Sequence, residues 1–286
     1  MKKISRRDFV KATSGAVVGG ALVSTAPNLW GKAKHLPMGI QLYTVREMLP
    51  KDFDGTLREL HDDGFQEVEA AGYFGRTAAQ FKQAMDNAGL HCVSAHHPLA
   101  DLLAKEDELI QYGHDLGLSY LICSWARAKD PKQQELTLDD WKWDCEQFNR
   151  IGEKTKAAGI QFGYHNHVRE FKKADGVLIY DELLRGTDPK LITMEMDCGW
   201  VVAAGFNPLE YLKKYPNRFS MLHVKDMTAG PNPHSTALGH GTIDYRPIFA
   251  AAKNVKHYFY EQEEFDNTPA QEAIKMSADY LKKLES

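Results

Sequence analysis

Polar and apolar residues alternate inside several short β-like runs, and this alternation is what most constrains the fold of this chain. Side chains of a strand point to opposite faces with a period of two. In Phe219 to Lys225, Met221, His223 and Lys225 share one face while Leu222 and Val224 share the other. In Leu191 to Asp197, Thr193, Glu195 and Asp197 oppose Met194 and Met196. Glu67 and Glu69 stand against Val68, and Gln41 and Tyr43 against Ile40 and Leu42. A parallel strand buried on both faces reads as a nearly continuous apolar run, and these do not. A closed barrel accommodates them: the apolar face packs on outer helices and the polar face points to the axis. Polar groups there are costly unless they bind something.

Eight such runs recur along the chain with amphipathic stretches between them, as repeated βα units require. The candidate strands are Met38 to Tyr43, Gln66 to Ala70, His91 to His96, Tyr120 to Ser124, Gln161 to His165, Leu191 to Asp197, Phe219 to Lys225 and His257 to Glu261. Helical patterns lie between and after them at Phe53 to Asp63, Ala78 to Ala88, Asp101 to Leu116, Leu138 to Ala158 and Ala270 to Leu284. No linker-like tract interrupts residues 34–286, and that length suits one barrel of about 250 residues. The expected fold is α/β, a single (β/α)₈ TIM barrel over 34–286.

Residues 1–33 are expected to be a targeting segment and linker. Ser5-Arg6-Arg7-Asp8-Phe9-Val10-Lys11 is followed by the small, weakly apolar run Ala16 to Thr25, too short to span a bilayer, which needs about 20 helical residues. The paired arginines resemble the twin-arginine export signal, which implies passage through the twin-arginine translocase to the periplasm. Ala26 and Ala33 are both candidate cut sites, and without cleavage the segment would act as a membrane tether. The whole chain carries −4, and residues up to Gly31 hold five Lys or Arg against one Asp, so the remainder carries −8. Such an acidic body argues against nucleic acid and other polyanionic partners. Cys92, Cys123, Cys145 and Cys198 form no CxxC pair, so small buried thiols are expected in place of a zinc knuckle.

Six candidate strands end in, or just short of, a metal-capable side chain: Glu69, His96, His165, Asp197, His223 and Glu261. In such barrels the site lies at the C-terminal ends of the strands, so these residues would converge despite their distance in sequence. Imidazole together with carboxylate suits divalent manganese, iron, cobalt or zinc better than calcium.

Four strings then carry a resemblance: YHNH at Tyr164 to His167, MDCGW at Met196 to Trp200, HVKD at His223 to Asp226 and YEQE at Tyr260 to Glu263. GIQLYTVRE from Gly39 and GHGTID from Gly239 add to it. With them the chain resembles the xylose-isomerase-like sugar phosphate isomerase/epimerase barrels over essentially all of 34–286. The resemblance implies a metal shell of His165, Asp197, His223 and Glu261, with His165 standing where many relatives carry glutamate. Manganese is the first expectation for the ion, with zinc, cobalt, iron or magnesium as alternatives. Glu261, His167 and Glu69 are candidate bases, and Lys225 resembles a substrate-contacting lysine that would hold developing negative charge. Tyr43, His96, Trp200 and Glu170 are expected to bind or orient substrate, Trp200 by stacking on a sugar face.

The expected chemistry is removal of a proton next to a carbonyl. Return of the proton epimerises or isomerises; loss of a β-substituent dehydrates an inosose-like ring or cleaves a 3-keto-glycoside. A free sugar or keto-sugar is expected over a sugar phosphate, because no glycine-rich or basic phosphate cradle is visible. Two other classes compete. An abasic-site endonuclease of the same superfamily would need a basic groove, and a non-catalytic sugar-binding protein would keep the fold without turnover.

Overall fold

Eight parallel strands close on themselves in the computed structural model, which describes residues 36–285. The targeting segment expected over 1–33 lies outside the described residues. The barrel strands are β1 (Met38–Gln41), β2 (Glu67–Ala70), β3 (His91–Pro98), β4 (Tyr120–Trp125), β5 (Gln161–His165), β6 (Ile192–Asp197), β7 (Phe219–Val224) and β8 (His257–Tyr260). Each pairs with its neighbours in sequence, and β1 closes the ring by pairing with β2 through Gln41 and Glu69 and with β8 through Ile40 and Tyr260. Helices cover the outside, as the α/β barrel expectation required.

Local signals set the helix ends. Asp52 accepts from the Gly55 amide to start Phe53–Asp63, and Gly64 stops it in the left-handed region at φ 107°. Reciprocal capping between Thr77 and Gln80 starts Ala78–Ala88, and the pair Thr137 and Asp140 does the same for Leu138–Ala157. One helix expectation is corrected. The pattern over 101–116 is two helices, Leu99–Ala104 and Glu106–Leu116, because Lys105 breaks the run at φ −135° and ψ 31°.

The strand interiors divide into two levels. Val93, Tyr120, Ile122, Met221 and Phe259 form a small apolar cluster separate from the main core between strands and helices. Glu67 pairs with His257 at 2.8 Å near the strand starts. The buried carboxylates and imidazoles occupy the later strand positions, so the apolar cluster acts as a floor beneath them. All four cysteines are free and buried, as expected of small apolar thiols.

Candidate metal centre

Period-two alternation in β6 and β7 delivers Glu195, Asp197 and His223 to the barrel interior, while Met194, Met196, Leu222 and Val224 join the outer core. His165 ends β5, and Glu261 follows β8 directly. Ligand-capable atoms of His165, Asp197, His223 and Glu261 all lie within 4.8 Å of one another, and all four residues are buried. A second group within the same reach consists of His96, His165, Glu195 and His223. The two groups share His165 and His223.

Hydrogen bonds tie both groups together. His223 Nδ1 is 2.9 Å from Glu261 Oε2, and its Nε2 is 2.7 Å from Glu69 Oε1. His96 Nε2 lies 2.7 Å from Glu195 Oε2 and 2.8 Å from Glu69 Oε1. His165 Nδ1 lies 3.1 Å from the same Glu195 oxygen. Glu69 also accepts from Gln41 Nε2 at 2.7 Å and from the Ser94 hydroxyl. Lys225, fully buried, places Nζ 3.0 Å from both Asp197 Oδ2 and Glu261 Oε2, next to Glu263, and 4.7 Å from the Trp200 ring centre.

Charge organises this cluster. Burial disfavours the ionised form of Glu69, yet His96 and His223 hold its carboxyl well below the usual range. Against the same burial, Glu69 and Glu195 push the His96 imidazole up to about 9. Glu195 and Glu261 raise His223 well above the ordinary histidine value. The opposite holds for His165 and His167. Burial and the neighbouring cation of His223 lower the first, and burial with Lys225 brings the second down to about 3. Both are therefore neutral imidazoles, the form that ligates a metal or accepts a proton.

These residues fit a divalent cation. Asp197 Oδ2 is buried with no hydrogen-bond partner and faces the Lys225 ammonium at 3.0 Å, an arrangement that leaves a carboxylate oxygen of the first group free to coordinate. The donor set of imidazole nitrogen and carboxylate oxygen suits manganese, iron, cobalt or zinc.

The remaining expected residues are distributed unevenly. Glu69, His96, His167, Lys225 and Trp200 all border the cluster, with His167 4.8 Å from His165 and 6.1 Å from Trp200 between ring centres. Tyr43 lies past the end of β1 and not on the strand. The chain leaves β1 at Gln41 and enters a 3-10 turn, where the Gln41 side chain accepts from the Tyr43 amide at 3.0 Å, and the Tyr43 ring is half exposed beside Arg46. Glu170 is fully buried and its carboxylate is spent internally, accepting from the Tyr164 hydroxyl at 2.6 Å, the His167 amide at 2.8 Å and Arg169 Nε at 3.2 Å. Through the His167 amide it supports the backbone that carries the His167 ring.

Sequence reasoning passed over Glu195 and Glu263 as site residues, although Glu195 shares the inward face of Asp197 and Glu263 ends the YEQE string. Asp226 of the HVKD string has a structural task. Its carboxylate accepts from the amides of Gly239, Gly241 and Ile243 at 2.9 to 3.0 Å, which pins the GHGTID segment beside the strand end.

A closed parallel barrel with imidazoles and carboxylates gathered at its strand ends defines an α/β barrel carrying a candidate divalent-metal centre. The chain belongs to the xylose isomerase-like TIM barrel family, whose model matches residues 57–284. A sugar phosphate isomerase/epimerase from Parabacteroides distasonis has a similar structure, with 30% sequence identity, a TM-score of 0.74, and coverage of 87% of this chain and 98% of that one. An inosose dehydratase of Geobacillus kaustophilus is 24% identical over 269 residues, covering 81% of this chain and 87% of the relative. A xylose isomerase-like barrel from Mycobacterium smegmatis in complex with magnesium shares the fold at 15% identity and a TM-score of 0.62, with coverage of 88% and 97%.

Proposed function

We propose that this protein removes a proton from the carbon next to a carbonyl of a free sugar or keto-sugar, as a metal-dependent isomerase or epimerase. The observation that carries the reading is the convergence of His165, Asp197, His223 and Glu261 within 4.8 Å, beside the buried ammonium of Lys225. Those four residues would hold a divalent ion, with manganese preferred; when bound, it supplies Lewis-acid polarisation of the carbonyl. Lys225 offers positive charge for the oxygen on which negative charge develops. His167 is the best-placed base. Its Nδ1 is buried without a hydrogen-bond partner, and its ring centre lies 4.8 Å from that of His165. Glu69 is already engaged by Gln41, Ser94, His96 and His223, which leaves it a poorer acceptor and a better support for the imidazoles.

A second outcome of the same proton removal is elimination. The inosose dehydratase relative favours it, since loss of a β-hydroxyl would follow from the same carbanionic species. Product identity separates the two in manganese-loaded protein incubated in D₂O with free sugars, inososes and 3-keto-glycosides and followed by NMR: epimerisation or isomerisation leaves deuterium at a carbon beside the carbonyl, whereas elimination loses the α-hydrogen and the β-substituent and gives a dehydrated product deuterated at the former β-carbon. A sugar-binding protein without activity gives no exchange, and that result would sink the reading.

The reading includes location. The Arg6-Arg7 segment supports export through the twin-arginine translocase to the periplasm, where free sugars outnumber their phosphates. A metalloenzyme gains from folding before export, because its ion is chosen away from zinc and copper, which outcompete manganese at the same ligands. Protein isolated from periplasm with manganese bound is the expected result.

A further inference from the structure

The reacting-centre residues do not account for the aromatic side chain beside them at the barrel mouth. Among the described residues the exposed large hydrophobics are Tyr43, Trp125, Val168 and Phe206, and each lies at or after the C-terminal end of a barrel strand. Trp125 ends β4, Val168 follows β5 and Phe206 follows the helix after β6, so three of the four come from consecutive βα units. After β7 and β8 the side chains are charged and lie mostly inside, with Lys225 paired to Glu261 and Glu263.

Trp125 is 47% exposed, yet it is held firmly. The Arg169 guanidinium sits 4.1 Å from its ring centre and 5.1 Å from that of Trp141. Arg169 is itself fixed by a 2.7 Å bond to the Ala126 carbonyl and a 3.2 Å bond to Glu170. The indole meets His167 nearly perpendicularly, with ring centres 4.9 Å apart, and His167 meets His165 in the same manner at 4.8 Å. These two steps cap the separation of Trp125 from His165 at about 10 Å, the scale of two linked sugar rings. A clamped indole offers stacking area at little further entropic cost, because its conformation is already fixed. The C–H face of a pyranose is the ligand chemistry that such a platform meets best.

We propose that Trp125 is the floor of a second sugar-ring subsite, so that the substrate is a disaccharide or glycoside. Its reacting ring lies over the His165–Asp197–His223–Glu261 cluster, and its neighbouring ring stacks on Trp125 in the sector of β4 to β6. This rests on the sugar reading of the site, but it concerns binding and not the reaction.

The test is a calorimetric titration of the full-length, manganese-loaded protein with glucose, galactose and fructose and with cellobiose, lactose, maltose, trehalose and sucrose. At least one disaccharide binds about tenfold more tightly than its component monosaccharides, equivalent to about 1.4 kcal/mol. Trp125→Ala brings that ratio to near one, and Trp125→Phe keeps most of it, showing that a flat ring is what matters. A wild-type protein with no preference for any disaccharide overturns the proposal, as does a preference that survives in Trp125→Ala. Concentration-dependent dimerisation lost in Trp125→Ala, with no change in the sugar ratio, would assign the ring to a second copy of the chain instead. Absence of deuterium exchange would sink the proposed reaction and leave this binding ratio standing.

Discussion

Glu69 Oε1 and His223 Nε2 meet at 2.7 Å across a sequence separation of 154 residues. One carboxylate from β2 thus supports an imidazole from β7, and the same carboxylate reaches His96 from β3. Glu69→Gln removes a charge that raises His96 and the carboxylate oxygen that His223 faces, and leaves a buried side-chain amide in their place. The expected loss is about 1–3 kcal/mol of stability, read by chemical denaturation. Asp86→Asn, which breaks an exposed pair with Lys82, should change stability by less than about 1 kcal/mol. Equal effects from the two variants would contradict the network.

Metal content separates the two overlapping groups at the strand ends. Asp197→Ala and His223→Ala are expected to abolish both bound metal, measured by plasma mass spectrometry, and turnover. Glu195→Ala should keep the ion but bind it about 10–100-fold more weakly, because Glu195 orients His165 and contacts His223 without being one of the proposed ligands. Complete loss of metal in Glu195→Ala alone would move the ion to the His96 side.

Asp144 gives a pH signature from outside the candidate metal centre. It is fully buried in the helix Leu138–Ala157, and burial pushes its carboxyl up to about 8 despite Arg169 and Arg127. Between the unfolded value near 4 and about 8, the folded state keeps the proton and the unfolded state has lost it. Unfolding is then favoured as pH rises through that window. Asp144→Asn is expected to flatten this slope and to raise stability near pH 8 by roughly 1–3 kcal/mol, discounting the full shift for relaxation. Denaturation at pH 5, 6.5 and 8 reads it, and parallel slopes for both proteins would refute it.

Gly241→Ala tests the Asp226 clamp. A Cβ at position 241 would meet Asp226 Oδ1, Asp226 Cγ and the Met227 carbonyl, none of them a flexible chain end. The variant is expected to lose about 1–3 kcal/mol, or several degrees in melting temperature. Gly205→Ala is a poor control because its backbone is left-handed, φ 81°. Asp139→Asn, at an exposed side chain, is the better one.

Much of the fold was legible because it depends on period and spacing. The eight strands were read to within a residue or two at most ends, since alternation in β6 and β7 left no other arrangement for Glu195, Asp197 and His223. Strand exits were less legible. Whether the chain continues straight or turns after Gln41 depends on a side-chain bond to the Tyr43 amide, which no periodicity reports. The same holds at β4, expected to end at Ser124, one residue before the exposed indole of Trp125. Lys105 shows the other limit: helical spacing continues across the break, and only the backbone turn reveals two helices. Glu170 looked free for substrate because nothing in a string of letters shows that Tyr164 and the His167 amide already occupy it.

Ring closure between β1 and β8 has a consequence for biosynthesis. A nascent chain that has emerged only through β7 already carries Asp197, His223 and Lys225, yet lacks Glu261 and the strand that seals the cylinder. The four-residue donor set is therefore complete only after the last strand docks, when the whole barrel has been synthesised.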